Sequence, residues 1–343
     1  MNYFNRVLVT GGAGFIGGTL IRRLLNNTNS IIYNIDRINY ASDLSSINKL
    51  EKSIGRHFHL NVDLKKIEDT REAIKEANPD IIFHLAAESH VDRSIISPKI
   101  FIDSNIIGTF NLLEASKDHW EKLSNSRKEK FKFIHVSTDE VFGSIETNDK
   151  FNEDSNYNPR SPYSASKAAS DHLVKAWFQT FYLPIIITNC SNNYGPFQFP
   201  EKLIPLSILK AICGEKIPIY GDGKNIRDWL YVEDHIDALL LVAQKGKAGE
   251  TYCVGDNNEK NNIYIVEEIC SILDKYIPKK IPYSDLIEFV SDRPGHDKRY
   301  AIDSTKLKTE LGWKPKIKLH DGLLLTIEWY IRNKDWCKKM VSE

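Results

Sequence analysis

The chain has 343 residues, of which 41% are hydrophobic, and its 46 acidic side chains balance its 46 basic ones. This zero net charge argues against binding to nucleic acid or to a membrane surface. Because the sequence has no long apolar run, we expect no signal peptide and no membrane span. Five scattered cysteines, without a CxxC pair, argue against a disulfide framework or a metal site and favour a cytoplasmic location.

Short apolar runs alternate with segments of helical spacing along the first 190 residues. The runs show little polar alternation, which is typical of strands buried on both faces of a parallel sheet. They cover 6–10, 31–36, 58–63, 81–86, 132–137 and 185–190. Strands that alternate with helices predict an α/β fold with a doubly wound parallel sheet of the Rossmann type.

The pattern loosens after about residue 190, where proline and glycine punctuate the chain more often. We therefore predict a first domain over 1–190 and a smaller mixed α/β domain over 191–343, with a cleft between them. The segment 228–255 is expected to return and pack on the first domain.

A glycine-rich turn between the first strand and the first helix predicts a dinucleotide-binding site. Gly14 and Gly17 fit both GxGxxG and the variant GxxGxxG, which begins at Gly11. Such glycines allow a tight turn, close approach of a pyrophosphate, and close packing of the helix on the strand. Asp36 ends the second strand, where a carboxylate binds ribose hydroxyls and repels a 2′-phosphate. This favours NAD over NADP, although Arg37 beside it could pair with a phosphate.

Tyr163 and Lys167 are predicted to share one face of a helix, because they lie four residues apart. Ser161 and Pro162 suit the cap and the first turn of that helix. A phenol has a pKa of about 10, and a nearby ammonium favours the phenolate. The pair could therefore form a base that removes a hydroxyl proton while hydride leaves the same carbon, although a YxxxK pattern alone is common.

Asp139 and Glu140 are adjacent acids at the end of a predicted strand. Neighbours in a strand point to opposite faces, so we expect the strand to end at about Ser137 and a turn to bring both acids to one side. Clustered carboxylates tend to separate their pKa values, which would leave one acid and one base. Solvated acids at a strand end are the alternative.

Nearly the whole chain resembles the extended short-chain dehydrogenase/reductase family. Within it, the chain is most similar to the nucleotide-sugar 4,6-dehydratases, especially those that act on dTDP-glucose. The resemblance runs from "VTGGAGFIG" to "RYAID" and rests on residues 84–94, 137–143, 163–174, 189–205, 219–235 and 292–303.

The resemblance implies a lyase reaction that eliminates water from a nucleotide sugar. Tyr163 would remove the proton of the carbon-4 hydroxyl while carbon 4 gives its hydride to NAD, and Thr138 would hydrogen-bond to the carbon-4 oxygen. Glu140 would take the proton from carbon 5, and Asp139 would protonate the hydroxyl that leaves carbon 6. The hydride would then return to carbon 6, so NAD is regenerated.

The resemblance also implies two sets of binding residues, with NAD on domain 1–190 and the nucleotide sugar on 191–343. The cofactor set is Gly11, Gly14, Phe15, Ile16, Gly17, Asp36, Asp63, Leu64, Leu85, Ala86, Ala87, Ser104, Tyr163, Lys167 and Asn193. The substrate set is Ser89, Thr138, Asn192, Lys202, Leu203, Tyr220, Arg227, Asn262, Arg293 and His296. We interpret His90 and Asp92 as residues that support the site without touching the ligand, or as loop structure, and not as catalytic groups. Ser42 and Asp43 depart from the family's usual glycine and asparagine, which leaves the geometry of that loop open.

Other functions remain possible on this evidence. A UDP-glucose 4,6-dehydratase would have the same acids, whereas a nucleotide-sugar 4-epimerase or reductase would not need Asp139 and Glu140. A non-catalytic binding protein would not need Tyr163 and Lys167. The resemblance further implies a homodimer, formed by the helix after "FIDSN" and the helix that carries Tyr163.

Overall fold

A seven-stranded parallel sheet forms the centre of the molecule, and two smaller sheets lie in the second half of the chain. The structure, a computed structural model, describes residues 4–146 and 149–342. Its strands are β1 (Arg6–Thr10), β2 (Ile31–Ile35), β3 (His57–Leu60), β4 (Ile81–His84), β5 (Lys132–Thr138), β6 (Ile185–Cys190), β7 (Asn192–Tyr194), β8 (Ile217–Tyr220), β9 (Ile226–Tyr231), β10 (Thr251–Val254), β11 (Glu259–Asn261) and β12 (Ile287–Val290).

Helices cover both faces of the large sheet and surround the smaller ones. They are α1 (Phe15–Asn27), α2 (Ser45–Asn48), α3 (Ile67–Ala77), α4 (Val91–Ile96), α5 (Pro98–Phe101), α6 (Gly108–Glu121), α7 (Asn125–Lys128), α8 (Pro162–Phe181), α9 (Leu203–Cys213), α10 (Val232–Lys245), α11 (Asn262–Tyr276), α12 (Leu319–Arg332) and α13 (Lys334–Ser342). A π-helical stretch, Ile102–Ile107, joins α5 to α6. Within the described residues, no helix is both long and apolar enough to cross a membrane.

The large sheet has the strand order β10-β6-β5-β4-β1-β2-β3, which confirms the doubly wound parallel sheet. The chain builds outward from β1 through β2 and β3, then crosses to the other side of β1 with β4. The order therefore reverses between β1 and β4, and such a reversal opens a crevice at the carboxyl ends of the strands. All residues of β4 and β6 are buried, which explains their lack of polar alternation.

The ends of several strands differ from the predicted ones. β2, β3 and β4 stop one to three residues early, because the apolar pattern continues where the chain leaves the sheet to line the crevice. β5 continues one residue further than expected, since Thr138 still pairs with Cys190 of β6.

One of the two smaller sheets is mixed and the other is parallel. β9 pairs in parallel with β7 and antiparallel with β11, while β8 and β12 form a parallel pair. After β9 the chain returns to the large sheet, where β10 pairs with β6 and α10 packs against α1. Arg23 of α1 forms ion pairs with Glu233 (2.5 Å) and Asp237 (2.6 Å) of α10.

Candidate active site

A cleft of about 390 Å³ opens at the carboxyl ends of β1, β2, β4, β5 and β6, where open α/β sheets bind ligands. Most of the predicted site residues line it. They are Gly11, Gly14, Phe15, Ile16, Gly17, Asp36, Asp63, Leu64, Leu85, Ala86, Ala87, Ser89, Ser104, Thr138, Glu140, Tyr163, Lys167, Asn192, Asn193, Lys202 and Leu203. The lining does not include Asp139, Tyr220, Arg227, Asn262, Arg293 or His296.

The glycine-rich turn packs closely against the protein backbone at the N-terminus of α1. Gly11 has a φ of +73°, and a Cβ there would lie 2.6 Å from the backbone nitrogen of Ala86. A Cβ on Gly17 would lie 2.3 Å from the Gly11 carbonyl oxygen. Asp36 Oδ2 accepts a hydrogen bond from Ala13 N (3.0 Å), which fixes the turn against the end of β2. These residues fit a dinucleotide, because the turn is compact and the helix N-terminus attracts a pyrophosphate.

Arg37 points toward carboxylates of the protein. Its guanidinium pairs with Glu88 at 2.5 Å and with Asp63 at 3.4 Å. A 2′-phosphate would have to compete with both acids for Arg37, so the arrangement supports the preference for NAD over NADP.

Tyr163 and Lys167 lie together on the first turns of α8, and both are buried. Ser161 and Ser164 form a capping box and Pro162 is the first helical residue, which confirms the predicted start of the helix. Lys167 Nζ donates a hydrogen bond to the Val136 carbonyl oxygen of β5 (2.9 Å).

The ionisation of this pair depends on burial. Burial and the charge of Glu140 raise the pKa of the Tyr163 phenol well above its usual value, whereas a hydrogen bond with Thr138 lowers it. Burial also lowers the pKa of Lys167, and the negative charge of Asp171 opposes this shift. The phenol is therefore neutral in this state and requires additional positive charge to ionise.

The two adjacent acids differ in their surroundings. Asp139–Phe142 forms a short 3-10 helix after β5, so the alternation of a strand no longer applies at Asp139 and Glu140. Glu140 is half-buried and lines the cleft, whereas Asp139 is buried behind it. Asp139 Oδ1 lies 3.3 Å from the Thr138 hydroxyl, and its Oδ2 has no hydrogen-bond partner among the described residues.

Both acids hold protons more strongly than ordinary carboxyls. Burial first, and then the charge of Glu140, raise the pKa of Asp139 well above its usual range. Burial also raises the pKa of Glu140, but the positive charges of Arg293, Arg227 and Lys202 oppose that shift. Asp139, which is buried, therefore tends to keep its proton, whereas Glu140, which lines the cleft, ionises more readily.

Asp92 contacts two of the predicted substrate residues. It pairs with Arg293 at 3.1 Å and accepts a hydrogen bond from the Tyr220 hydroxyl at 3.2 Å. Asp92 lies on α4, beside the large sheet, while Tyr220 ends β8 of a small sheet. Asp92 therefore connects the two halves of the molecule.

Arg227 is buried and contacts backbone groups. Its guanidinium donates to the carbonyl oxygens of Ile226 (2.7 Å) and Asp297 (2.9 Å), and it lies 4.3 Å from the centre of the Tyr300 ring. His296 contacts Asp292 at 2.6 Å.

Asn262 begins α11 and is buried. Its backbone nitrogen donates to the Asn225 carbonyl oxygen at 3.0 Å.

A family model described as GDP-mannose 4,6 dehydratase matches residues 8–326 of the chain. The chain belongs to this family. A curated dTDP-glucose 4,6-dehydratase of Shigella flexneri is 50% identical to it over 346 residues, which cover 98% of this chain and 96% of the relative. These matches confirm the resemblance to nucleotide-sugar 4,6-dehydratases.

Two crystal structures of dehydratases are also similar to this family member. The dTDP-glucose 4,6-dehydratase of Bacillus anthracis, in complex with NAD, has a TM-score of 0.85 and 40% identity, with coverage of 97% of this chain and 99% of that one. DesIV, a dTDP-glucose 4,6-dehydratase of Streptomyces venezuelae with NAD and TYD bound, has a TM-score of 0.88 and 37% identity, with coverage of 98% and 99%.

Sequence reasoning on this dehydratase missed several residues of the cleft. Glu88, Gln198, Phe199, Glu201 and Trp229 line it without having been predicted. Glu88 lies four residues after the end of β4, so its place near the carboxyl end of a strand was a usable signal. The others lie on loops or a strand of the second half, where no local pattern indicates which way a side chain points.

Asp171 is a further missed residue, and its spacing was a signal, since it follows Lys167 by four residues on α8. It is buried beneath Lys167 and accepts hydrogen bonds from the hydroxyls of Ser137 (2.8 Å) and Tyr157 (2.9 Å). His135 Nε2 lies 3.0 Å from its other oxygen. Burial acts to raise the pKa of Asp171, but the hydrogen bonds and nearby positive charges lower it overall.

We expect Asp171→Asn to lower the free energy of unfolding at neutral pH by about 1.5–3 kcal/mol, because an amide cannot accept from all of these donors. The pKa of Asp171 is lower in the folded protein than its unfolded value of about 3.9. Its stabilisation is therefore present above that value and is lost as the pH falls through the folded pKa. Urea unfolding at a series of pH values measures this difference.

The matched control is Tyr157→Phe, which removes one donor and keeps the carboxylate, so it should cost less than Asp171→Asn. The assignment predicts that the difference in the free energy of unfolding between wild type and Asp171→Asn shrinks at acidic pH. A difference that stays constant down to the most acidic pH at which both proteins fold would contradict it.

Proposed function

We propose that this chain is a dTDP-glucose 4,6-dehydratase, which converts dTDP-glucose to dTDP-4-keto-6-deoxyglucose and water with tightly bound NAD. The observation that carries the proposal is that Tyr163, Lys167 and Glu140 line one cleft together with the glycine-rich turn. A simple oxidoreductase would need the tyrosine and the lysine, whereas elimination of water also needs an acid and a base.

When bound, NAD accepts a hydride from carbon 4 of the sugar and returns it to carbon 6. Gly11, Gly14 and Gly17 line the cleft at the N-terminus of α1, where they would contact the pyrophosphate. Asp36 would bind the ribose, and the pair Asp63 and Leu64 would meet the adenine. The remaining members of the cofactor set also line this half of the cleft. They are Phe15, Ile16, Leu85, Ala86, Ala87, Ser104 and Asn193.

Tyr163 acts as the base that removes the proton of the carbon-4 hydroxyl. Burial raises the pKa of its phenol, so the nearby Lys167 ammonium and the positive nicotinamide must stabilise the phenolate. Thr138 is the last residue of β5 and lines the cleft, and its hydroxyl hydrogen-bonds to the same sugar oxygen.

Glu140 and Asp139 carry out the elimination. Glu140 lines the cleft, where Arg227, Arg293 and Lys202 favour its ionised form, so it takes the proton from carbon 5. Asp139 has the higher tendency to stay protonated and supplies a proton to the hydroxyl that leaves carbon 6. Its carboxyl lies directly behind Thr138, whose hydroxyl is 3.3 Å away and which lines the cleft. An acid or a base contributes roughly 10²–10⁴-fold to such a step.

The two halves of the chain divide most of the ligand contacts, with the NAD set in residues 1–190 apart from Asn193 and the nucleotide-sugar set in 191–343 apart from Ser89 and Thr138. The pairing of β10 with β6 supports the return of the 228–255 segment to the first half. Arg227, Arg293 and Lys202 would neutralise the diphosphate. The other residues proposed for the nucleotide sugar are Ser89, Asn192, Leu203, Tyr220, Asn262 and His296.

Incubation of the purified protein and NAD with dTDP-glucose tests the function. We expect loss of one water from the sugar, seen by mass spectrometry, and a 4-keto product. UDP-glucose and GDP-mannose serve as competing substrates. UDP-glucose differs from dTDP-glucose by the absent methyl group of its base and by a 2′-hydroxyl on its ribose, and the methyl group alone is worth about 10–200-fold in kcat/KM. Dehydration of none of the three, or faster dehydration of UDP-glucose, would contradict the proposal.

The acid pair is tested by the double substitution Asp139→Asn with Glu140→Gln. We expect this variant to oxidise carbon 4 in a single turnover, seen in the cofactor absorbance, but to release no water, because the acid and the base of the elimination are absent. Glu201→Gln is the matched control, since Glu201 is a cleft carboxylate outside the pair. The roles are wrong if the double variant fails to oxidise carbon 4.

We infer that the enzyme is a homodimer formed by α6, α8 and the π-helical stretch between α5 and α6. Large apolar side chains are exposed there, including Ile102 (42%), Ile107 (42%) and Phe181 (38%). Phe110 of α6 packs edge-on against Trp177 of α8, with ring centres 5.8 Å apart, so the two helices present one continuous surface. An exposed apolar surface of this kind supports contact with a second copy.

Sedimentation of Ile107→Lys tests the dimer. We expect a dimeric wild type and a weakened dimer in the variant, because a buried, unpaired lysine is unfavourable. The control is Ile54→Lys, since Ile54 is 81% exposed outside this surface. A monomeric wild type, or equal dimerisation of the two variants, would contradict the inference.

A further inference from the structure

The 37–44 loop forms part of the cofactor side of the cleft. Arg37, Asn39, Ala41 and Ser42 all line it. Both ends of the loop are attached to the peptide of Ala13 in the glycine-rich turn. Ala13 N donates to Asp36 Oδ2 at 3.0 Å, and Asp43 N donates to the Ala13 carbonyl oxygen at 2.8 Å. The position of the loop is therefore coupled to the turn that would contact the pyrophosphate.

The Asp43 carboxylate accepts hydrogen bonds from two directions. Oδ1 accepts from the backbone nitrogen of Ser45 at 2.9 Å, at the start of α2. Oδ2 accepts from the indole nitrogen of Trp336 at 2.9 Å, on α13, which lies 293 residues further along the chain. Burial tends to raise the pKa of Asp43, but these bonds lower it overall.

The chemistry of these two bonds requires an aspartate. Asparagine, the residue usual in the family at this position, has one acceptor oxygen and one amide nitrogen. With its oxygen on Ser45 N, its N–H groups would meet the indole N–H, and two donors would face each other. The departure from the family pattern at Asp43 thus matches the presence of a second donor at Trp336.

Trp336 also packs against the opposite side of the cleft. Its ring centre lies 4.9 Å from Trp329 and 6.0 Å from Phe197, and Phe197 lies 4.4 Å from Trp329. Phe197 directly precedes the segment 198–204, whose residues line the cleft on the substrate side. The guanidinium of Arg22, on α1, lies 4.0 Å above the Phe197 ring. Trp336 of α13 therefore contacts Asp43 in the loop on the cofactor side and Phe197 beside the segment on the substrate side.

We propose that Trp336 and Asp43 are positioning residues that retain NAD by fixing the 37–44 loop against the glycine-rich turn. This inference rests on the proposed function, because it requires NAD to bind in the cleft. Neither side chain touches the cleft itself, so the effect passes through the loop. On this proposal NAD leaves past the loop, which lines the cofactor side of the cleft, and the indole–carboxylate hydrogen bond opposes movement of the loop.

The test compares the rate at which NAD leaves the holoenzyme after rapid removal of free NAD. We expect Trp336→Phe and Asp43→Asn each to release NAD roughly tenfold faster than wild type, because each removes the hydrogen bond between the indole and the carboxylate. Because the two residues act through one bond, the double variant should be no faster than Asp43→Asn alone. Phenylalanine keeps an aromatic ring beside Phe197, so the KM for dTDP-glucose should stay unchanged and excess NAD should restore kcat.

The matched control is Trp120→Phe, which also removes an indole hydrogen bond, to the Lys128 carbonyl oxygen, but outside the cleft. It should release NAD at the wild-type rate. If wild type dehydrates dTDP-glucose but the variants at 43 and 336 retain NAD as wild type does, the inference is overturned. Additive effects in the double variant would overturn it as well. Failure of wild type to bind NAD or to dehydrate the sugar would instead overturn the proposed function.

Discussion

The hydrogen bond from the Lys167 ammonium to the Val136 carbonyl oxygen joins helix α8 to strand β5. Every group proposed for the chemistry lies within a few residues of this junction. Tyr163 is one helical turn before Lys167, and Thr138, Asp139 and Glu140 follow Val136 directly. Because a parallel strand buried on both faces cannot shift easily, α8 and the end of β5 hold a fixed relative position, which a reaction between closely spaced groups requires.

Burial of charges near this junction determines which groups carry protons. Burial lowers the pKa of Lys167 and raises that of Asp139 and Tyr163, so each group tends toward its neutral form. Opposite charges limit the effect at selected positions, as Asp171 does for Lys167 and as Arg293 does for Glu140. The chain has no net charge, yet it places carboxylates and cations so that adjacent acids have different protonation tendencies.

Features with a local signature were predictable from the sequence. The unalternating apolar runs gave the parallel strands, and the spacing of Tyr163 and Lys167 gave their common helix face. Contacts between distant segments carry no such signature. Asp92 meets Arg293 across 201 residues, and Asp43 meets Trp336 across 293 residues. Such pairs form because the two halves of the chain pack together, and periodicity within one element does not report on that packing.

For the adjacent acids, the position after β5 indicated a place at the site, but the direction of each side chain could not be predicted from the sequence. In a continued strand, the side chains of Asp139 and Glu140 would point to opposite faces of the sheet. We expected a simple turn to bring both side chains to the same side. The 3-10 helix after Thr138 does neither, because it places Glu140 in the cleft and Asp139 behind Thr138. Unequal burial then separates two carboxyls that the sequence makes neighbours. Adjacency in the chain therefore supplies the proximity that an acid and a base need, and the turn supplies the difference between them.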